Sequence, residues 1–431
     1  MNRYDTVVIG AGLAGLTTAC QLAQANQRVL LVAAGIGSLL LTSGSIDVLG
    51  YHPAGSLEPV RNPVDTLDEF TTKYPDHPYK IVGKKQVTAG LEAFWQLVNL
   101  DGVLTYWGAA DRNWLLPSTV GAIHPTCLAP TALANGELTQ EGDMLIVGFW
   151  ELRDFYPGLI SQNLNEQNLK VEVGAQTIEA PRPARGKMNI TPIELAHAFE
   201  QPEFRRRVVK ALKRKSKRYS RVGFPAVLGL SQHAGVLADL EQQLGKTVFE
   251  ISTLPPSVPG RRLFERLRDV FVQAGGQLII GSRVAEGQIE AGQVTQIRVE
   301  TSNRLRTITA NHYVLATGGI YGGGIQTDSD GATAQVWEPI FNLPVAANAN
   351  RHRWFDEDFL ASQGQPVAQY GVQVNQQLNP VDENRDVVAH NLYLAGALIA
   401  GSHWVRGRTG DGAALATATV AAKQIINGNQ E

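Results

Sequence analysis

A chain of 431 residues is too long for one average domain and predicts two structural regions. Hydrophobic residues at 44% and charged residues at 18% suit a globular protein with a large core, and a net charge of -2 gives no reason to expect a nucleic-acid partner. The two cysteines, Cys20 and Cys127, form no C-x-x-C pair, which argues against a zinc site, an iron–sulfur cluster or a disulfide scaffold, so no metal is expected.

The first residues, Met1 to Asp5, run directly into a strand, and no stretch of about 18 or more apolar residues occurs. The expectation is therefore a reduced, cytoplasmic chain with neither signal peptide nor membrane span. Thr6-Val7-Val8-Ile9 predicts a buried parallel strand. Helical spacing follows over 13–25, with Leu16, Ala19, Cys20 and Ala23 on one side, and Val29-Leu30-Leu31-Val32 predicts a second strand. Strand, glycine turn, helix and strand make a βαβ unit.

From about 85 to 250 the pattern is irregular, apart from a strand at Met144-Leu145-Ile146-Val147 and a helix over 231–244. Regularity returns with an amphipathic helix over 262–274 and strands near 277–281, 284–289 and 293–300. A further strand ends in Tyr313-Val314-Leu315-Ala316-Thr317-Gly318-Gly319, and the last unit joins Asn391-Leu392-Tyr393-Leu394-Ala395-Gly396 to a small-residue helix over 411–426. The fold class expected is α/β: a Rossmann-like FAD/NAD(P)-binding domain with an inserted α+β substrate or cap domain. The nucleotide domain is assigned 1–85, 251–330 and 385–431, the cap 86–250, and a cap return segment 331–384.

Gly10-Ala11-Gly12-Leu13-Ala14-Gly15 is a G-x-G-x-x-G between strand and helix. Gly10 permits a tight turn, Gly12 lets backbone approach a pyrophosphate, and Gly15 lets helix and strand pack closely. Free amides and the positive dipole end at the helix start, around Leu13 and Ala14, then face the phosphates. The acid expected after the second strand, for the ribose hydroxyls, is replaced by Ala33-Ala34-Gly35, which leaves FAD and FMN both open. Ala316, Thr317 and Gly318, ending a strand in small residues, permit close approach of a cofactor. Gly396, and Gly410, Gly412 and Ala413 at the start of the last helix, are the remaining cofactor candidates.

These elements resemble the flavoprotein superfamily of fumarate reductase and succinate dehydrogenase. Within it they resemble the second-subunit family of the anaerobic glycerol-3-phosphate dehydrogenases. The resemblance spans nearly the whole chain and rests on Thr6 to Gly15, Ser43-Gly44-Ser45-Ile46-Asp47, Ile146-Val147-Gly148 with Leu152-Arg153-Asp154-Phe155, and Thr253-Leu254-Pro255-Pro256-Ser257-Val258-Pro259-Gly260. It continues through Ala316 to Gly319 and Asn391-Leu392-Tyr393. It implies oxidation of sn-glycerol 3-phosphate to dihydroxyacetone phosphate, with electrons delivered to quinone. It also implies a larger FAD-containing catalytic subunit and an iron–sulfur membrane-anchor subunit as partners, and peripheral placement at the cytoplasmic face of the membrane. The fold suggests FAD, whereas this second subunit is described in its family with FMN. Succinate-dehydrogenase-like enzymes often attach flavin to a histidine in this region. Ser38-Leu39-Leu40-Leu41 offers none, so a non-covalent flavin is expected. The hydroxyls of Ser43 and Ser45 beside Gly44 suit a phosphate or the flavin ring.

Removing hydride from a secondary alcohol requires a base at the hydroxyl and cations for the phosphate. Arg261 and Arg262 follow the Pro-Pro-Ser stretch, and His403, Arg406 and Arg408 precede the last helix. His403 is the candidate base, and Arg262 and Arg406 the candidate phosphate contacts. His352, Arg353 and Trp354 form a weaker cluster. The basic run from Arg205 to Arg221 is read as a solvated face or as a dock for anionic lipid or an acidic partner. Two other functions stay open: a stand-alone fumarate-reductase-like flavoprotein acting on a small carboxylate, and a non-catalytic assembly subunit with a vestigial flavin site.

Overall fold

The computed structural model describes residues 4–167, 169–302, 304–328, 334–402 and 404–428. Its contacts divide the chain into two compact units. One comprises Met1–Ser38, Asp47–Val98 and Arg266–Glu431, the other Leu39–Ile46 and Asn99–Glu265.

The first unit is built on five strands in the order Gln277–Ile280, Val29–Ala33, Tyr4–Ile9, Ala310–Leu315 and Leu392–Leu394. Every pairing is parallel. Counted along the chain the order is 3-2-1-4-5, so it reverses direction between Tyr4–Ile9 and Ala310–Leu315. In doubly wound sheets ligands bind outside the carboxyl ends of the strands at this switch point. Val29–Ala33 is buried throughout, as both covered faces of a parallel sheet require. Helix Leu13–Gln24 packs on the C-terminal helix Gly410–Gly428, with Gln21 Nε2 donating to Thr419 Oγ1 at 2.9 Å. Helix Lys84–Val98 also comes close to the C-terminal helix, where a Cβ on Gly90 would stand 2.9 Å from the Ala416 backbone. An antiparallel meander, Val284–Glu290, Gln293–Glu300 and Leu305–Ile308, precedes the fourth strand. Its first turn has Ala291 and Gly292 both at positive φ, the hairpin geometry that matches strand twist.

The second unit holds a four-stranded sheet in the order Thr247–Ile251, Arg221–Pro225, Met144–Phe149 and Val173–Ile178, again all parallel. Two antiparallel ribbons precede it, Tyr106–Gly108 with Leu128–Pro130 and Trp114–Pro117 with Ile123–Thr126. The α+β character expected of the insert therefore lies in these ribbons, while its main sheet is parallel. Phe199 centres the core, with the rings of Phe204, Phe149 and Phe224 edge-on at 5.0, 5.9 and 6.0 Å. The helix expected over 231–244 forms at His233–Leu244.

The expected boundaries move. Lys84–Val98 stays with the first unit through its contact at Ala416, so the inserted unit begins at 99 rather than 86. The segment 331–384 also belongs to the first unit. Val345–Ala346 pairs with Gly371–Val372, Val372 bridges to Ile399, and the Leu394 amide donates to Leu378 O at 2.9 Å. Among the described residues no helix is long and apolar enough to cross a membrane.

Candidate functional site

The glycine turn joins strand Tyr4–Ile9 to helix Leu13–Gln24. Gly10 has φ +114°, and a Cβ there would collide with the carbonyl oxygen of Ala316. A Cβ on Gly15 would collide with the carbonyl oxygen of Gly10. Gly12 differs, because none of the described residues lies within 4 Å of where its Cβ would stand. Two of the three glycines are thus demanded by packing, and one keeps an open approach. Gly12 is also the helix N-cap and, being glycine, brings no capping side chain of its own, and the first turn holds no acid. The dipole end is left available to an anion. Leu13 and Ala14 are buried in that first turn.

After the second strand, Ala34 and Gly35 are exposed and no carboxylate stands where a ribose-binding acid is expected. The chain folds back instead. Gly37 has φ +69°, and a Cβ on it would lie 2.7 Å from Gly12 Cα. Sequence reasoning missed Gly37, although its spacing after a strand-ending glycine is the signal that could have found it.

Across the switch point, Ile9 pairs with Leu315, and the chain continues into buried Ala316, then Thr317 and Gly318 at φ +81°. The Thr317 hydroxyl is buried without a hydrogen-bond partner among the described residues. Such a group costs about 1–3 kcal/mol unless something satisfies it. An orphan hydroxyl, an open Gly12 face and an uncountered helix start fit a flavin nucleotide, with its ribose held by something other than the usual acid.

Gly396 has φ +76°, and a Cβ on it would stand 3.0 Å from Ala14 Cβ, while its amide donates to Thr417 Oγ1 at 2.9 Å. From Thr417 the C-terminal helix runs back about 10 Å to its start at Gly410, enough to span an elongated cofactor. There Gly410 faces Trp404, and a Cβ on Gly412 would collide with the Tyr79 hydroxyl and lie 3.1 Å from Val48 Cα. Gly412 and the buried Ala413 are therefore packing positions that seat the helix start. Beside them Arg408 Nε donates to Asp47 Oδ2 at 2.9 Å, the Asp47 amide donates to Asp411 Oδ2 at 3.2 Å, and the Gly412 amide donates to Asp47 O at 2.9 Å. Burial, reinforced by the neighbouring Asp47, pushes the Asp411 carboxyl up to about 7. The pairing of Asp47 with Asp411 was not anticipated, though each lies in a motif already singled out.

Ser43, Gly44 and Ser45 lie in the second unit. The two serine hydroxyls are 2.6 Å apart, Tyr106 OH donates to Gly44 O at 2.5 Å, and a Cβ on Gly44 would stand 2.6 Å from Pro259 Cβ. The Ser257 amide donates to Leu40 O at 2.8 Å. The Ser-Gly-Ser loop and the Pro-Pro-Ser stretch thus pack on one another.

Arg262 is a correction. Its side chain is 4% exposed, and its guanidinium binds Glu250 at 2.7 and 3.0 Å and donates to Gly229 O. A phosphate clamp needs a free fork, and this one is spent inside the core. Arg261 pairs with Glu265 at 2.6 Å, and His352 and Arg353 are exposed while Trp354 is buried. Arg406 is half-buried beside Gly364, and Arg408 is committed to Asp47. His403 lies outside the described residues. Among those described, no group of three or more His, Cys, Asp or Glu is placed to hold a metal.

The FAD binding domain family matches residues 5–412. A protein of Halobacterium salinarum, named as a probable anaerobic glycerol-3-phosphate dehydrogenase subunit, is 34% identical over 424 residues, covering 96% of this chain and 95% of its own. The corresponding anaerobic glycerol-3-phosphate dehydrogenase subunit of Vibrio cholerae is 30% identical over 437 residues, covering 99% and 97%. Among solved structures, the open conformation of a flavocytochrome c3 fumarate reductase aligns with a TM-score of 0.47 at 11% identity, covering 100% of this chain and 79% of that one. The glycine turn that opens the matched region and the near-complete coverage in both directions agree. The chain belongs to the FAD binding domain family and, within it, to the second-subunit family of the anaerobic glycerol-3-phosphate dehydrogenases, which are flavin oxidoreductases.

Proposed function

We propose that the chain is the flavin-carrying second subunit of a complex that oxidises sn-glycerol 3-phosphate to dihydroxyacetone phosphate and passes the electrons to quinone. The observation that carries this reading is 34% identity over 96% of the chain to a protein named as such a subunit. Bound flavin supplies the two-electron acceptor chemistry. The chain's own contribution is the anion site at Gly12 and the hydrogen bond offered by the Thr317 hydroxyl. A turn built for a pyrophosphate favours FAD over FMN, held without a covalent bond. Arg406 is assigned the substrate phosphate and His403 the hydroxyl proton. Its partners are a larger FAD-containing catalytic subunit and an iron–sulfur anchor subunit, placing the chain peripherally at the cytoplasmic face of a membrane.

The test begins with the visible absorption of the purified chain and the mass of the flavin it releases. The three-subunit complex is then offered glycerol 3-phosphate or succinate with a soluble quinone. Stoichiometric FAD, with quinone reduced only by glycerol 3-phosphate, is the expected result. A chain that stays colourless after incubation with FAD and FMN, or a complex answering only the carboxylate, overturns the proposal.

A further inference from the structure

The redox site leaves the basic run 205–221 unused. The run carries ten cations, and the structure divides them. Arg205 pairs with Asp239 and donates to Phe199 O at 2.8 Å. Arg206 and Arg207 both hold Glu203, at 2.6 and 2.9 Å. Arg218 binds Glu172 at 2.7 Å, and Arg221 donates to the carbonyls of Glu137, Gln140 and Gly142 at 2.7, 2.9 and 2.8 Å. Lys210, Lys213, Arg214, Lys215 and Lys217 remain, all exposed and without an ion pair among the described residues.

Four of these are gathered on one side, and Lys215 is exposed apart from them. Helix Pro202–Leu212 continues one turn further, with Lys213 at φ -50°, ψ -40° and the Ser216 amide donating to Leu212 O at 2.9 Å. Phe204, Val208, Leu212 and Ser216 form the buried line at every fourth position. Positions 210, 213, 214 and 217 then follow helical spacing on the opposite face. A helix C-terminus favours cations in its last turn. That accounts for Lys210 and Lys213, not for Lys215 and Lys217 beyond them.

We propose that Lys210, Lys213, Arg214 and Lys217 form a docking face for the phosphate headgroups of an anionic lipid bilayer. The division of residue types favours lipid over protein. Five of the six arginines of the run are held by carboxylates or carbonyls, and four of the five free cations are lysines, which protein interfaces deplete. Lysine meets phosphate as a mobile, hydrated point charge, which suits a fluid headgroup layer. Within 205–221 no large apolar side chain is exposed, so the contact is electrostatic rather than inserted, and no aromatic platform is present for nucleic-acid bases. With a net charge of -2, the attraction comes from segregated charge, not from total charge.

The test is sedimentation of the flavin-loaded, full-length chain with vesicles of phosphatidylcholine, with and without phosphatidylglycerol. Binding is expected only to the anionic vesicles. A cation near such a surface contributes about a five-fold gain in partitioning, so Lys210→Gln/Lys213→Gln/Lys217→Gln together lose about 100-fold. Salt that shortens the screening length from about 10 Å to about 3 Å releases the unmodified chain. A control neutralising Lys73, Lys80 and Lys423, exposed in the other unit, keeps its binding. Retained flavin and an unchanged melting curve show that the variants are folded. The proposal is overturned if the parent ignores anionic vesicles, if the first triple variant binds unchanged, or if the control loses as much. It is equally overturned if the first variant fails only to assemble with partner subunits while still binding vesicles.

Discussion

Replacing Arg262 with methionine separates a structural arginine from a substrate-binding one. Burial alone would push the fully buried Glu250 carboxyl up, but Arg262 and His233 outweigh it and hold the group below its ordinary value. Glu250 also accepts from the Leu228 amide at 2.7 Å, so it is locked in place by the fold. Methionine would fill the volume and leave that carboxylate buried without its cation. Breaking a buried pair from one side costs about 3–5 kcal/mol. For a unit of this size each kcal/mol moves the melting point by roughly 2–4 °C, so the drop is about 6–20 °C.

The assay is a circular-dichroism melt of the flavin-free chain, beside KM for glycerol 3-phosphate in the assembled complex. The double variant Arg262→Met/Glu250→Gln keeps the acceptor for Leu228 and removes the stranded charge, so it recovers much of the loss. A single variant that melts with its parent while KM rises would refute the reasoning and return Arg262 to the substrate.

Three further outcomes are expected. Gly12→Val leaves melting of the flavin-free chain unchanged but abolishes flavin uptake, whereas Gly15→Ala lowers melting directly; equal effects in a melt and a flavin titration would contradict the geometry. Burial, with the nearby Arg262 charge, pushes His233 down to about 4 from an ordinary 6.5. The unfolded chain therefore takes up the proton first as pH falls, and stability drops by about 3 kcal/mol between those values. Urea unfolding of the parent and of His233→Gln checks this, because the variant should lack that part of the slope. Asp411 runs the other way. Its carboxyl is raised above its unfolded value, so stability falls as pH rises from about 4 towards about 7. Asp411→Asn then gains on the parent at pH values above that window in thermal melts, and a variant less stable there would refute the assignment.

The βαβ start was legible because a buried apolar run, a glycine turn and a 3.6-residue pattern are local signals. So were the strands now found at Val284–Glu290 and Gln293–Glu300 and the helix at Gly410–Gly428. Strand order was not legible, since Ala310–Leu315 reaches its place beside Tyr4–Ile9 from about 300 residues away. The same limit governs side chains. Gly10, Gly12 and Gly15 escape it, because the motif itself gives Gly12 the open approach and Gly15 the close packing, as their surroundings have it. Arg262, opening a helix after a proline-rich stretch, looks like a cation at a domain junction, and nothing local reveals that Glu250, on the strand Thr247–Ile251, meets it inside the core.

Motifs fared better than single residues because packing ties them together. Gly44, at positive φ, needs its missing Cβ because Pro259 stands against it, and Gly260 needs its own missing Cβ because Leu39 O does. Ser-Gly-Ser and Pro-Pro-Ser are therefore two halves of one packing requirement, written more than 200 residues apart. Asp47 and Asp411 are a second such pair, joined by an amide of one and a carboxylate of the other. A change in either half should then be felt as a change in both. For that reason a double-mutant cycle at Gly44 and Gly260, each to alanine, should be strongly non-additive in melting free energy, and simple additivity would show that the two motifs are independent after all.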